Sequence, residues 1–182
     1  PWPRLTMVDS IKKYAKIDVN KLNDEDLQDE LKSNKIQFEE DSPRGILIQH
    51  LFEELVEPHL IQPVFIIDHP KETTPLCKEK RGNPDLIERF EPFINGWEVG
   101  NAYSELNNAL IQRKLLEEQA SKLKKGDEEA NPMDEDFVRS LEIGMPPTGG
   151  LGLGIDRMIM LFTNSQSIRD VIFFPFMRPE ND

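Results

Sequence analysis

The stretch GMPPTGGLGLGIDRMIM, Gly144 to Met160, constrains this chain most, because five glycines and two adjacent prolines stand directly before an apolar run. Glycine spacing excludes two nucleotide-binding loops. GGLGLG is out of register with G-x-G-x-x-G, and no G-x-x-x-x-G-K-[ST] occurs. What remains is a strand in which Gly150, Gly152 and Gly154 alternate, leaving a bare face where a flat ring or a phosphate chain can approach the backbone. A helix over Ile155 to Phe162 follows and brings Arg157 near that face, where a guanidinium can stack on an aromatic base and donate to phosphate. Asp156 reads as a capping or dipole-favourable residue. Close packing of a helix on a sheet accounts for the glycines equally well, so both readings stand on spacing alone.

With 182 residues, 37% of them hydrophobic, the expectation is one globular unit. A formal net charge of -12 argues against broad electrostatic capture of nucleic acid and confines any RNA contact to a local patch. Cys77 is the only cysteine, which excludes an intrachain disulfide and a cysteine-based zinc site. No segment has the apolar length of a signal or a membrane-spanning helix, so a reducing, cytoplasmic setting without membrane contact is expected. Because PWPRLTMVDSI reads as a strand entering a core, with Arg4 to Val8 extended, the chain is expected to be a fragment.

Asp9-Ser10 is expected to cap a helix over residues 11 to 16. Residues 18 to 42 are polar and weakly periodic; a helix near Asp24 to Ser33 is expected within a solvated excursion. After Ser42-Pro43, the spacing of Ile46, Leu47, His50, Leu51, Glu54 and Leu55 predicts a helix with that face inward. Pro63 to Asp68 reads as a strand buried on both faces. The long amphipathic pattern from Leu106 to Lys124 predicts a helix ended by Gly126, and Asp134-Glu135 starts another through Leu141. Ile168 to Phe174 is a final apolar segment closed by Pro175.

Between these elements, ERFEPFINGWEVGNAYSELN carries the strongest hairpin signal, Asn95-Gly96. A two-residue turn there opposes Phe93 to Glu98 and Glu91 to Gly100, making Glu91 and Glu98 diagonal neighbours on one face. Two like charges so placed repel unless solvent screens them or a cation sits between them, and oxygen ligands favour Mg²⁺ completed by phosphates and waters. The plainer reading is two exposed strand residues. Asn101, Tyr103 and Glu105 alternate on one face, Glu105 suited to a cationic group, Tyr103 to a wall and a hydroxyl, Asn101 to donate and accept. Strict alternation sets this trio opposite Glu98, but a bulge near Val99-Gly100 would bring the two sets together. A polar edge strand is the alternative. His50, His59 and His69 do not read as a metal set; His50 reads as a core or boundary residue and His69 in DHP as a loop-ordering group.

TGGLGLGIDRMIMLFT resembles the third signature motif of class II aminoacyl-tRNA synthetases, and IRDVIFFPFMRP resembles the end of the lysine-specific members. RLTMVDSI, FIIDHPKETTPL, RFEPFINGWEVGNAYSELN, LIQRKLLEEQ and GDEEANPMDEDF are similar to the same family in the same order, most weakly over residues 18 to 42. The resemblance implies an α+β fold, an antiparallel sheet flanked by helices, here the C-terminal portion (residues 1–182) of a class II catalytic core. It also implies an ATP-dependent activation of lysine to lysyl-adenylate followed by transfer to tRNA(Lys). Carried onto this chain, it implies that Glu91 and Glu98 hold Mg²⁺ against the triphosphate and that Asn101, Tyr103 and Glu105 form the lysine pocket, Asn101 also lying within the cofactor site. Arg157 would stack on adenine, with Gly152 and Gly154 opening the backbone to the nucleotide. Arg157, Glu91 and Glu98 would be the catalytic set, working by alignment and charge neutralisation rather than by a general base.

After Ser104-Glu105-Leu106-Asn107 the family usually continues with aspartate and proline, whereas this chain has Asn108 and Ala109. The anticodon-binding domain and the first two motifs, including the one that builds the family homodimer, are expected upstream of Pro1. These 182 residues alone are therefore expected to form little lysyl-adenylate. Aspartate- and asparagine-specific relatives are disfavoured, because an acidic side chain would need a cation where Glu105 stands. A lysine-transferring paralogue that modifies a protein, and a non-catalytic interaction module, are the alternatives.

Overall fold

The computed structural model describes residues 1–123 and 133–176. The chain enters through β1, Arg4–Thr6, and turns at once into α1, Met7–Tyr14. The strand is shorter than the expected Arg4 to Val8, because the Thr6 hydroxyl accepts from Asp9 N at 3.0 Å and starts the helix two residues before Asp9. α2, Asp24–Ser33, begins with a capping box, Asn23 Oδ1 accepting from Asp26 N and Asp26 Oδ2 accepting from Asn23 N. Its one apolar stripe, Leu27 and Leu31, is fully buried, so residues 18 to 42 are not a solvated excursion. Two leucines four apart suffice to dock a short helix, each contributing about 1.5–3 kcal/mol on burial. α3, Arg44–Leu55, buries Leu47, Ile48, Leu51 and Phe52, while His50 is half-buried and Glu54, expected on the inward face, is exposed because its charge stays solvated. Arg44 fastens the loop before α2, donating to Val19 O at 2.6 Å and Leu22 O at 2.9 Å.

β2, Val64–Ile67, lies parallel to β1 and antiparallel to β5, Arg89–Ile94. The sheet is therefore mixed, not wholly antiparallel as expected. Residues 7–63 between β1 and β2 carry three α-helices, the long crossover that a parallel pair requires. Val64 and Ile66 are buried but Phe65 and Ile67 only half-buried, so the strand is sealed on one face. A short hairpin of β3, Glu79–Lys80, and β4, Asn83–Ile87, stands apart. The main sheet continues through β6, Trp97–Glu98, which pairs with β5, and β7, Gly100–Ser104.

Asn108 then caps α4, Ala109–Leu123, its Oδ1 accepting from Leu110 N and Ile111 N. The departure from aspartate and proline thus keeps a side-chain oxygen at the helix start. Gly126 lies outside the described residues. α5, Glu135–Ile143, starts on Asp134 as expected and packs with α4, burying Leu116, Val138 and Leu141. β8, Gly149–Leu153, closes the order β1-β2-β5-β7-β8 and leads into α6, Ile155–Thr163. Ile168 to Phe174 forms a 3₁₀ turn over Ile168–Asp170 and leaves Phe173 and Phe174 almost fully exposed.

The core lies between α1, α2, α3 and one face of β2 and β5, with Phe52 edge-on to Phe93 at 5.7 Å. On the other face Phe65 contacts Trp2 and Phe90, and Leu151 and Leu153 of β8 are exposed.

Candidate functional site

Asn95 (φ 58°) and Gly96 (φ 72°) both occupy the left-handed region, as a two-residue hairpin turn demands. Their amides donate to Ile61 O and Leu60 O at 3.0 Å, docking the turn on the preceding loop. Phe93 opposes Glu98 and Ile94 opposes Trp97, in the expected register. The pairing then slips by one residue: Phe90 opposes Ala102 and Arg89 opposes Tyr103. Val99 is the extra residue, its amide donating to Pro92 O at 2.9 Å and its carbonyl accepting from Gly154 N at 3.0 Å. Glu91 therefore does not face Gly100. The bulge turns Asn101, Tyr103 and Glu105 onto the face that carries Arg89, Glu91 and Glu98.

β8 supplies the adjoining wall, with Tyr103 opposite Gly150 and Asn101 opposite Gly152. The methyl of an alanine at 150 would lie 3.2 Å from Glu105 Cδ and closer still to Oε1, so only glycine lets that carboxylate rest over β8. At 152 the nearest atom would be Asn101 O at 3.7 Å, an ordinary contact, and that stretch of backbone is open. A methyl at Gly154 would also meet only ordinary contacts, so this glycine serves as the entry to α6 rather than as cleared space. Arg157, half-exposed, donates through Nη1 to Glu98 O at 2.6 Å and lies 3.9 Å from Glu98 Oε2.

Glu91 is 7% exposed and pairs through Oε1 with Arg89 Nη2. Burial nevertheless pushes its carboxyl up to about 7, the Arg89 guanidinium opposing the shift and Glu98 and Glu53 adding to it. Glu57, in the turn after α3, is likewise raised to about 7, by burial and by Glu53, Glu91 and Glu98. Burial and neighbouring carboxylates thus disfavour the charged form of both groups, and a cation between them would favour it. Among the described residues no group of three or more His, Cys, Asp or Glu side chains is arranged to hold an ion by itself. Two carboxylates with remaining positions left to phosphates and water suit Mg²⁺.

Three groups at this site escaped the sequence reading. Arg89 donates through Nε to Asn101 Oδ1 at 3.1 Å; its period-2 spacing with Glu91 and Phe93 was the available signal. His69 is not merely a loop-ordering group: it is 1% exposed, with Nε2 3.8 Å from Glu91 Oε2. Burial, with the nearby Arg89 charge, holds its imidazole down to about 3, hence neutral. Glu57 carries no periodic signal at all. Tyr103 is raised by burial and by Glu105, and Cys77 is pushed up to about 12 by burial, which makes it an unreactive thiol. A cavity of about 720 Å³ is lined by Phe90, Ala102, Leu151 and Lys80 and also by Arg89, Tyr103 and Gly150 of the strands that carry the site.

A family model described as tRNA synthetases class II (D, K and N) matches residues 1–178. The chain is 51% identical over 183 aligned residues to a lysine–tRNA ligase of Thermoanaerobacter pseudethanolicus, covering 100% of this chain and 37% of the relative. It is 52% identical to one of Moorella thermoacetica, with the same coverage, and 51% identical to one of Clostridium novyi, covering 98% of this chain and 36% of that relative. The chain therefore spans little more than a third of the length of the relatives it matches. A gathered face of carboxylates, a bare glycine strand and an arginine at the following helix agree with this match along the whole chain, which belongs to the class II tRNA synthetases of the D, K and N group.

Proposed function

We propose that the chain is the C-terminal part of the catalytic domain of a lysine–tRNA ligase, which activates lysine with ATP and passes it to tRNA(Lys) in the cytoplasm. The parent protein is read as a homodimer whose anticodon-binding domain and first two motifs lie upstream. The observation that carries the reading is the Val99 bulge, which gathers Glu91, Glu98, Asn101, Tyr103 and Glu105 onto one face beside the open backbone of Gly152.

On this face the lysine carboxylate attacks the α-phosphate of ATP and pyrophosphate leaves. Glu105 holds the side-chain ammonium, Tyr103 walls the pocket, and Asn101 orients the polar end of the amino acid. Arg157 stacks on the adenine and offsets phosphate charge while its contact with Glu98 O fixes its stem. Glu91 and Glu98 would hold Mg²⁺, which when bound neutralises the triphosphate. Rate enhancement then comes from alignment and charge placement, with no proton-transferring side chain.

The test is lysine-dependent ATP–pyrophosphate exchange and tRNA lysylation by the full-length protein and its Glu105→Gln variant. Loss of the carboxylate charge should raise the lysine KM by about 100-fold with the ATP KM held within about twofold, the scale of a hydrogen bond to a charged group. An unchanged lysine KM, or lysine transfer to a protein and not to tRNA, would overturn the reading.

A further inference from the structure

We propose that Arg89 is the positioning residue of this site, orienting the Asn101 amide and clamping Glu91 through a single guanidinium. Three observations converge on it. The side chain is 15% exposed although it carries a full charge, so its position is held by partners rather than by solvent. Nε donates to Asn101 Oδ1 at 3.1 Å, and Nη2 donates to Glu91 Oε1. The strand register sets Arg89 directly opposite Tyr103, between the residues read above as the metal side and the lysine side of the site.

The chemistry of the donor decides what Asn101 can do. A guanidinium has five N–H groups and no acceptor, so the atom it meets on Asn101 must be the amide oxygen. With Oδ1 occupied, the Nδ2 group is turned away from Arg89, and among the described residues it has no hydrogen-bond partner. Asn101 stands opposite Gly152, the open stretch of β8. The side chain that could donate or accept on sequence grounds is thereby set as a donor, suited to an oxygen of the bound ligand and unsuited to an ammonium. The same guanidinium occupies one oxygen of Glu91 and leaves Oε2 for another partner. Lysine cannot replace this arrangement, because its single ammonium lacks the rigid fork that serves two acceptors from fixed positions.

This role rests on the lysine–tRNA ligase reading, and a mutant cycle in the full-length protein separates the two. Lysine KM, kcat and half-saturating Mg²⁺ are measured by ATP–pyrophosphate exchange for the wild type, Arg89→Lys, Arg89→Ala, Asn101→Ala and the Arg89→Ala/Asn101→Ala pair. Arg89→Ala should raise the lysine KM by about tenfold, yet by less than about twofold when Asn101 is already alanine, because the two act as one unit. Arg89→Lys should return the Mg²⁺ requirement to within about twofold of wild type, since it restores charge beside Glu91, while the lysine KM stays raised. A double-variant KM equal to the product of the single effects, or recovery of both constants by lysine, overturns the proposal. Should Arg89→Ala fail to fold, Arg89→Lys with and without Asn101→Ala completes the same cycle. Should the wild type activate another amino acid instead of lysine, the ligase reading fails, and the coupling is read on the KM of that amino acid.

Discussion

Gly150→Ala separates the architecture of the site from its chemistry. The added methyl would sit 3.2 Å from Glu105 Cδ and nearer to Oε1, with no third atom in range except Glu105 Cγ at 3.9 Å. Its whole steric conflict is thus with the end of one flexible side chain. Carbon–oxygen contact needs well over 3 Å, so the carboxylate must swing by about 1 Å or more, enough to break the charge-assisted hydrogen bond proposed between Glu105 and a lysine ammonium. The loss of such a bond is about 1.5–3 kcal/mol, roughly 10- to 150-fold in affinity. Backbone strain is not expected, since Gly150 is not among the glycines with positive φ. Replacing a strand glycine should even stabilise the protein by up to about 1 kcal/mol through the lower entropy of the unfolded chain. The expected outcome in the full-length protein is a lysine KM raised 10-fold or more, an unchanged ATP KM, and a urea midpoint equal to or above wild type. Gly100→Ala is the internal contrast, because its methyl would meet the backbone oxygen of Gly152 at 2.9 Å and must lower the midpoint. A wild-type lysine KM in Gly150→Ala, or a fall in its stability as large as that of Gly100→Ala, would refute the reasoning.

Gly45→Ala should cost about 1–3 kcal/mol in urea unfolding, because its methyl would press on Pro70 Cβ at 2.7 Å and Glu72 Cδ at 2.9 Å, and the proline cannot swing aside. Leu31→Ala should cost about 2–5 kcal/mol; a loss under about 0.5 kcal/mol would return residues 18 to 42 to the solvated surface. Glu91 and Glu57 are raised to about 7 from 4.5, so the native state retains protons that the unfolded chain has released, and their contribution makes stability fall as pH rises through that window. His69, held down to about 3 from 6.5, acts oppositely between those values, which leaves the fall carried by the carboxylates between pH 6.5 and about 7. On the proposed role of Glu91, Mg²⁺ would compete with its proton, so the effect of the ion on Tm should be small well below pH 7 and grow above it; a pH-independent shift would remove Glu91 from the proposed ion site.

The hairpin was legible because Asn-Gly forces both turn residues into the left-handed region, which fixes the first two pairs of the register. The bulge was legible for a different reason: two chemically matched sets, Glu91 with Glu98 and Asn101 with Tyr103 and Glu105, could share a face only if one residue dropped out of the ladder. Residues 18 to 42 misled because a count of polar residues overlooks how little apolar surface a ten-residue helix needs, and Leu27 and Leu31 are enough. The parallel β1–β2 pair was invisible, since nothing local to RLT or VFII distinguishes the direction of a neighbour paired 61 residues away; that is decided by the crossover. Arg89 and His69 were missed because each acts through a partner from another strand or loop, and a partner is a property of the packing.

Val99 gives the hairpin a parity. With one surplus residue between turn and pocket, Glu98 and Asn101 share a face although they stand three apart: were Val99 to join the ladder as an ordinary residue, Ala102 and Ser104 would face the ligand side and Tyr103 and Glu105 the opposite one, whereas its deletion would leave a regular ladder with the same pairs. The arm can therefore lose one residue at the bulge and keep the facing of the pocket, whereas a residue added within the paired stretch Gly100–Ser104 turns every side chain after it to the other face. Libraries that vary substrate choice by substitution can search this pocket freely, and those that shorten the arm can begin at Val99.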